Sequence, residues 1–147
     1  MHKHEGMTLI VKTVTRISVW MILLYGTYIV FHGHLSPGGG FAGGVIIALA
    51  LLNVLLAYGR NFVTEWLSIK FLHGLESLAA SFFVIIGILG MVYVGYFLGN
   101  YLSKGELFNL LSAGTILPLN IVIGIKVGTS LFIVIWFLSE LKIDKGE

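Results

Sequence analysis

The sequence has no cysteine and no glutamine, and only 11% of its 147 residues are charged. The absence of cysteine excludes disulfides, iron–sulfur ligation and thiolate-based zinc sites. Soluble domains carry about 25% charged residues, so a chain this short with so few charges cannot cover a globule with polar surface. The apolar excess must therefore face lipid. There is also no basic segment with interleaved aromatic residues, which argues against nucleic acid as a partner.

What the sequence does contain is apolar, with 57% hydrophobic residues and a mean hydropathy of +0.97. Apolar runs of about 17–25 residues are long enough to span a bilayer. They predict an all-α integral membrane bundle, a single domain over 1–147, with four transmembrane helices at about 9–31, 41–58, 71–98 and 114–138. The first run outlasts the apolar region of a signal peptide, about 7–15 residues, so we expect it to remain as a helix. The start of the fourth is the least defined, because 107–112 is apolar too.

The positions of Lys and Arg predict an orientation, because these residues are enriched in cytoplasmic loops. With both termini in the cytoplasm, the inner side holds seven of them: Lys3, Lys12, Arg16, Arg60, Lys70, Lys142 and Lys145. Lys104 then lies in an outer loop and Lys126 lies within the membrane. The glycine-rich loop between the first two helices faces outward in this arrangement.

That loop is the most distinctive segment of the sequence, running from His32 to Gly44. Its stretch 38–43 formally matches G-x-G-x-x-G, but no strand precedes it and no acidic residue follows about twenty positions later, so a dinucleotide site is rejected. Pro37 fixes φ, and the three glycines after it can adopt left-handed backbone values. We therefore predict a tight helix-to-helix connection formed by Pro37, Gly38, Gly39, Gly40, Gly43 and Gly44.

Glycines four residues apart predict close helix packing. Gly39/Gly43 and Gly40/Gly44 have this spacing at the start of the second helix, and Gly95/Gly99 and Gly124/Gly128 repeat it on the third and fourth. Two interpretations of the glycine loop remain open. It serves packing alone, or its unwound carbonyls help line an ion path.

The histidines do not predict a metal or haem site. His32 and His34 supply two ligands at most, with no third candidate nearby in sequence. His32 lies at the outer end of the first helix and His73 at the inner end of the third, and a hydrocarbon core of about 30 Å separates them, so one haem cannot reach both. We predict no metal and no cofactor.

Lys126 is the most informative single residue. It lies about twelve residues from either end of its predicted helix, which places it near the bilayer midplane. A charge at that depth costs about 2.5–3.5 kcal/mol, so the side chain must face protein or water. Two roles stay open: membership of an ion path, and a structural ion pair with an acid on a partner subunit.

Glu76 is the acidic residue to consider with it. By helix arithmetic Glu76 lies about 7 Å from the cytoplasmic edge and Lys126 about 18–20 Å, a gap of about a dozen ångström that is too large for direct contact. His73 lies one turn before Glu76 on the same face. His73 and Glu76 form a polar stripe with Ser77 and Ser81. Such a stripe is typical of a proton or cation path and equally of a buried contact between subunits. Lys126, Glu76 and His73 are the candidate ion-pathway residues.

Several segments carry a family resemblance: Thr13-Val-Thr-Arg16, Gly33-His-Leu-Ser-Pro-Gly-Gly-Gly-Phe-Ala-Gly-Gly44, Gly114-Thr-Ile-Leu-Pro-Leu-Asn-Ile121 and Ile123-Gly-Ile-Lys-Val-Gly128. Together they resemble the B subunit of Mrp-type (Mnh-type) sodium/proton antiporters over nearly the whole chain. The resemblance implies a small, non-catalytic subunit of a hetero-oligomeric complex in a prokaryotic plasma membrane. Its expected partners are the other membrane subunits, including large antiporter-like subunits that resemble those of respiratory complex I, together with lipid, sodium ions and protons.

The resemblance leaves the parent complex open. Membrane-bound hydrogenases and sulfane reductases that pump ions contain the same kind of B-like subunit. A purely structural membrane spacer is a further alternative. An autonomous enzyme is not expected, because the sequence lacks a catalytic constellation.

Overall fold

The computed structural model describes residues 7–35, 37–102 and 112–144. In these ranges the regular structure is helical: α1 (Leu9–Phe31), α2 (Gly39–Tyr58), α3 (Arg60–Trp66), α4 (Ile69–Val94) and α5 (Ile116–Asp144). Four of these described helices are long and apolar enough to cross a membrane, namely α1, α2, α4 and the Ile116–Ser139 part of α5. The prediction of an all-α membrane protein with four spans is confirmed.

Several helix bounds differ from the predicted ones. α4 ends at Val94 instead of continuing to residue 98, because Gly95 takes a left-handed conformation (φ 91°, ψ 0°) and its N–H bonds to the carbonyl of Met91. A left-handed glycine at this position is a common way to end a helix. α5 begins at Ile116 and continues to Asp144, beyond the predicted end at 138. Pro118 lies in its first turn, where a missing N–H costs nothing.

The four spanning helices lie side by side in the order α1, α2, α5, α4. α1 packs on α2, α2 on α5 and α5 on α4, while α1 makes a smaller contact with α5. Neighbouring residue pairs show that α2 and α5 are parallel, since Gly40 lies at Asn120 and Gly44 at Gly124. α4 is antiparallel to α5. α2 and α5 therefore occupy the centre, and α1 and α4 the two ends.

Glycines allow the backbone of α2 to approach helices on both sides. A Cβ at Gly44 would lie 2.7 Å from the carbonyl oxygen of Gly124 on α5, and one at Gly43 would lie 2.9 Å from that of Gly26 on α1. The predicted close packing at the Gly124/Gly128 pair is therefore present. Glycine is required here because any side chain would meet backbone, which cannot move aside.

The corresponding prediction for Gly95 and Gly99 is wrong. Both residues lie beyond the end of α4, where residues 95–102 fold back along that helix. The N–H of Leu98 bonds to the carbonyl of Gly87 at 3.3 Å, and Gly99 packs against Gly90. The close glycine contact therefore joins a connecting segment to α4 instead of joining two helices.

Asn100 connects this segment to the start of α5. Its Oδ1 accepts hydrogen bonds from the Thr115 N–H and from the Thr115 hydroxyl, both at 3.0 Å. Its Nδ2 donates to the carbonyl of Ala113 at 3.3 Å. The Asn100 side chain thus takes part in three hydrogen bonds that fix where α5 begins. Hydropathy alone did not define this start.

The apolar core lies at the end of the molecule opposite the glycine loop. It joins α2, α3, α4 and α5 through Leu55, Val63, Leu72, Phe132, Ile133 and Trp136. The short helix α3, which the sequence did not predict, contributes Val63 to this core. It begins after Gly59, whose φ of 85° ends α2.

Candidate functional site

A polar cluster lies where α4 and α5 meet within their membrane-spanning parts. The Ser130 hydroxyl donates a hydrogen bond to Glu76 Oε1 at 2.5 Å. His73 Nδ1 lies 3.8 Å from Glu76 Oε2. We call His73, Glu76 and Ser130 the Glu76 cluster.

The helices themselves position these side chains. His73 and Glu76 are three residues apart, so they lie on the same face of α4. Leu72 and Ala79, four residues before and three residues after Glu76 on the same side of α4, are buried, so Glu76 lies at the edge of the packed side of α4. The Glu76 side chain is 30% exposed and that of His73 is 52% exposed. The His73 and Glu76 side chains are therefore accessible from the side of α4 that no described helix covers.

Lys126 lies one turn from this cluster. It precedes Ser130 by four residues on the same face of α5, which places it about 6 Å from Ser130 along the helix axis. Lys126 is exposed in the single chain, and no carboxylate in the described part of the chain forms an ion pair with it.

Ser77 and Ser81, the two serines of the predicted stripe, do not join the Glu76 cluster. Ser77 and Ser81 are exposed, and the Ser81 hydroxyl donates to the carbonyl of Ser77 in its own helix at 2.9 Å. The polar contact across the helices instead uses Ser130, which the sequence did not single out. The sequence signal that could have identified Ser130 is its position four residues after Lys126, on the same face of the predicted helix.

The glycine loop connects α1 to α2 at the end of the molecule opposite the apolar core. Gly38 and Gly39 have φ values of 117° and 53°, which most other residues avoid. Pro37 precedes them and is exposed. Residue 36 lies outside the described residues. The turn ends at Gly38, because α2 begins at Gly39. Gly39, Gly40, Gly43 and Gly44 were predicted as part of the connection, but they lie in the first turns of α2, where they contact the neighbouring helices.

Asn120 holds this turn against α5. Its Oδ1 accepts a hydrogen bond from the backbone N–H of Gly40 at 3.3 Å. Its Nδ2 is buried and has no hydrogen-bond partner among the described atoms. A contact between residues 80 positions apart was not foreseen from the sequence. His32 turns toward its own helix, with Nδ1 3.0 Å from the carbonyl of Tyr28.

Across the described ranges, no group of three or more His, Asp and Glu side chains is arranged to hold a metal ion. An open groove of about 500 Å³ lies between α1, α2 and α3, and its lining is mostly apolar, with Arg16 and Tyr58 among the few polar residues. Such a lining suits lipid or a packed helix better than a polar substrate. Within the described part of the spanning helices, the structure places the titratable side chains of His73 and Glu76 next to each other.

Comparison with known proteins gives a consistent result. Residues 10–133 match the family described as a domain related to the MnhB subunit of Na+/H+ antiporter. An uncharacterized protein of Methanocaldococcus jannaschii is 38% identical over 132 residues, covering 86% of this chain and 50% of that protein. A protein of Staphylococcus haemolyticus named as antiporter subunit mnhB2 is 44% identical over 62 residues, covering 42% of this chain and 44% of that protein.

A solved structure is also similar. A chain in the membrane-bound sulfane sulfur reductase, an archaeal respiratory membrane complex, superposes with a TM-score of 0.71 and is 31% identical. The match covers 94% of the present chain and 62% of that one. The chain spans about half the length, or less, of the curated relatives it matches.

Proposed function

The chain belongs to the family of MnhB-related antiporter subunits, and we propose that it acts as a small, non-catalytic membrane subunit of an Mrp-type sodium/proton antiporter module. In this role it contributes both to cation translocation and to assembly of the complex. The family membership supports the general role. The specific part in translocation is proposed from the chain's own residues.

The observation that carries the proposal is the bond between Glu76 and Ser130 inside two spanning helices. Ionisable residues at such depth are costly and commonly mark ion or proton pathways. The carboxylate and the hydroxyl supply oxygen atoms, which hard cations prefer as ligands. The imidazole of His73 lies 3.8 Å from the same carboxylate, and an imidazole can both donate and accept a proton. With Lys126 one turn away, the face offers both proton carriers and cation ligands.

The partners proposed are the other membrane subunits of such a module, including large antiporter-like subunits. Sodium ions and protons are the transported species, and lipid surrounds the open faces. The proposed location is the plasma membrane of a prokaryote, with both termini in the cytoplasm and 1–147 acting as one membrane domain. The turn at Pro37–Gly38 and the glycines of the first turns of α2, Gly39 to Gly44, would serve assembly, since they set how closely α2 approaches α1 and α5.

A second candidate is the same role within a redox-driven respiratory membrane complex. The observation favouring it is the structural likeness to a chain of the sulfane sulfur reductase complex, which extends over 94% of this chain. Purification from native membranes distinguishes the two. Co-purification with iron–sulfur subunits supports the respiratory complex, and co-purification with antiporter subunits alone supports the standalone module.

The test is Glu76→Gln in the assembled complex. Glutamine keeps an oxygen that accepts the Ser130 hydroxyl but neither carries a charge nor releases a proton. We expect normal complex yield, with sodium-dependent proton movement in inverted membrane vesicles reduced by about tenfold or more, equivalent to about 1.4 kcal/mol on the rate-limiting step.

The matched control is Ser77→Ala, on the same helix and exposed, which should leave transport unchanged. Wild-type transport by Glu76→Gln in a complex of normal yield would contradict the proposal. It would leave the purely structural role for this subunit.

A further inference from the structure

Lys126 lies too deep in the membrane for its charge to reach the bilayer surface. It is about 15 Å along α5 from Ile116 and about 20 Å from Ser139, the two ends of the apolar span. A lysine can extend its four-carbon stem toward the headgroups only when it lies near a helix end. Its ammonium must therefore be compensated at its own depth.

The described part of this chain does not supply that compensation. Two acidic side chains are described. Both oxygens of Glu76 face Ser130 and His73, and Glu65 lies on α3, away from the midplane. Lys126 is exposed in this chain, so its side chain is open to a neighbouring subunit.

The surface around Lys126 has the pattern of a helix-packing face. Lys126, Val134 and Phe137 are exposed along one stripe of α5, and Ser130 borders this stripe on the side where it bonds to Glu76 of α4. Val134 and Phe137 are 53% and 48% exposed. A mainly apolar stripe with a single cation matches a partner that is apolar along its length and acidic at one level. A lipid phosphate does not fit, because it lies at the bilayer surface, about half of a 30 Å core away.

We propose that this stripe of α5 docks a transmembrane helix of another subunit, and that this helix presents an Asp or Glu carboxylate to the Lys126 ammonium. The proposal rests on the proposed function, since it requires a multisubunit membrane complex. It goes beyond that function by specifying that the partner helix carries a carboxylate and that this carboxylate lies at the membrane depth of Lys126. The pairing removes the cost of an isolated midplane charge and fixes the register of the two helices.

The test is cross-linking of the intact complex in its native membrane with dicyclohexylcarbodiimide, which dissolves in lipid. The reagent adds to a carboxyl group to give an O-acylisourea. The uncharged Nζ of a lysine in contact then attacks the acyl carbon, an amide bond forms, and dicyclohexylurea leaves. The carbodiimide takes up the elements of water that the two side chains lose, so no oxidant or reductant is needed.

We expect a covalent heterodimer that contains this chain, and mass spectrometry should identify a linked peptide pair that includes Lys126. Lys126→Arg should reduce the linked pair to background, because guanidinium keeps its charge and stays protonated. Lys70→Arg, at an exposed position near the start of α4, should leave the linked pair unchanged.

An assembled wild-type complex without a Lys126-linked partner peptide would overturn the proposal, and so would a link from Lys126 to Glu76 of this chain. These outcomes are independent of transport. If the cross-link forms while Glu76→Gln transports normally, the docking proposal stands and the proposed role in translocation fails. If the cross-link is absent while Glu76→Gln loses transport, only the docking proposal fails.

Discussion

Replacing Gly40 by alanine tests whether α2 and α5 depend on backbone contact. An added Cβ at residue 40 would overlap the carbonyl oxygen of Asn120 and would lie 2.9 and 3.0 Å from its C and Cα atoms. All three atoms belong to the backbone of α5, so no rotamer change relieves the overlap. The helices must separate, and the 3.3 Å hydrogen bond from the Gly40 N–H to Asn120 Oδ1 lengthens as they do.

The expected cost follows from these two effects. Overpacking a close contact typically costs about 1–3 kcal/mol, and losing one hydrogen bond costs about 0.5–1.5 kcal/mol. We therefore expect Gly40→Ala to destabilise the subunit by about 1.5–4.5 kcal/mol. Gly74 on α4 is the matched control, because a Cβ there would meet nothing within 4 Å. Alanine at that position should be neutral or stabilise by up to about 1 kcal/mol through helix propensity.

The assay heats the detergent-solubilised complex and measures the fraction that stays assembled by fluorescence-detected size-exclusion chromatography. Gly40→Ala should lower the midpoint temperature and the yield, whereas Gly74→Ala should lower neither. Equal midpoints for Gly40→Ala and wild type would refute the packing account of the glycine turn.

Three further predictions concern other features. Asn100→Ala should lower the midpoint temperature in the same assay, equivalent to about 1–3 kcal/mol, because it removes three hydrogen bonds at the start of α5; an unchanged midpoint would argue against this role. Ser130→Ala should reduce sodium-coupled transport in an assembled complex, whereas Ser81→Ala, whose hydroxyl bonds within its own helix, should not. Because the chain has no cysteine, Leu35→Cys and Ser68→Cys supply unique labels. An impermeant maleimide should reach Leu35→Cys from outside the cell and Ser68→Cys from the cytoplasm, and the reverse pattern would invert the proposed orientation.

The spans were predictable because the thickness of the bilayer sets the length of each apolar run. The helix ends were less predictable from the sequence, because they depend on local backbone conformation. Gly95 could equally continue an apolar helix or end it, and only its left-handed φ of 91° decides. The short helix α3 contains too few residues for an apolar periodicity to be recognised.

The candidate site was predictable within one helix but not between helices. The spacing of His73 and Glu76 places them on one face whatever the fold. The bond from Glu76 to Ser130 depends on α4 lying beside α5 and on their relative depth, and neither follows from hydropathy. The same holds for Asn120, which meets Gly40 only because α2 and α5 run in parallel.

The role of this subunit in translocation is tested most directly by sodium uptake into proteoliposomes that contain the purified complex with Lys126→Arg. Arginine keeps the positive charge and therefore the attraction to a partner carboxylate, but it does not release its proton during a transport cycle. We expect normal complex yield with sodium-coupled transport reduced by about tenfold or more. Wild-type transport by Lys126→Arg in a complex of normal yield would contradict it and would leave Lys126 as a structural charge.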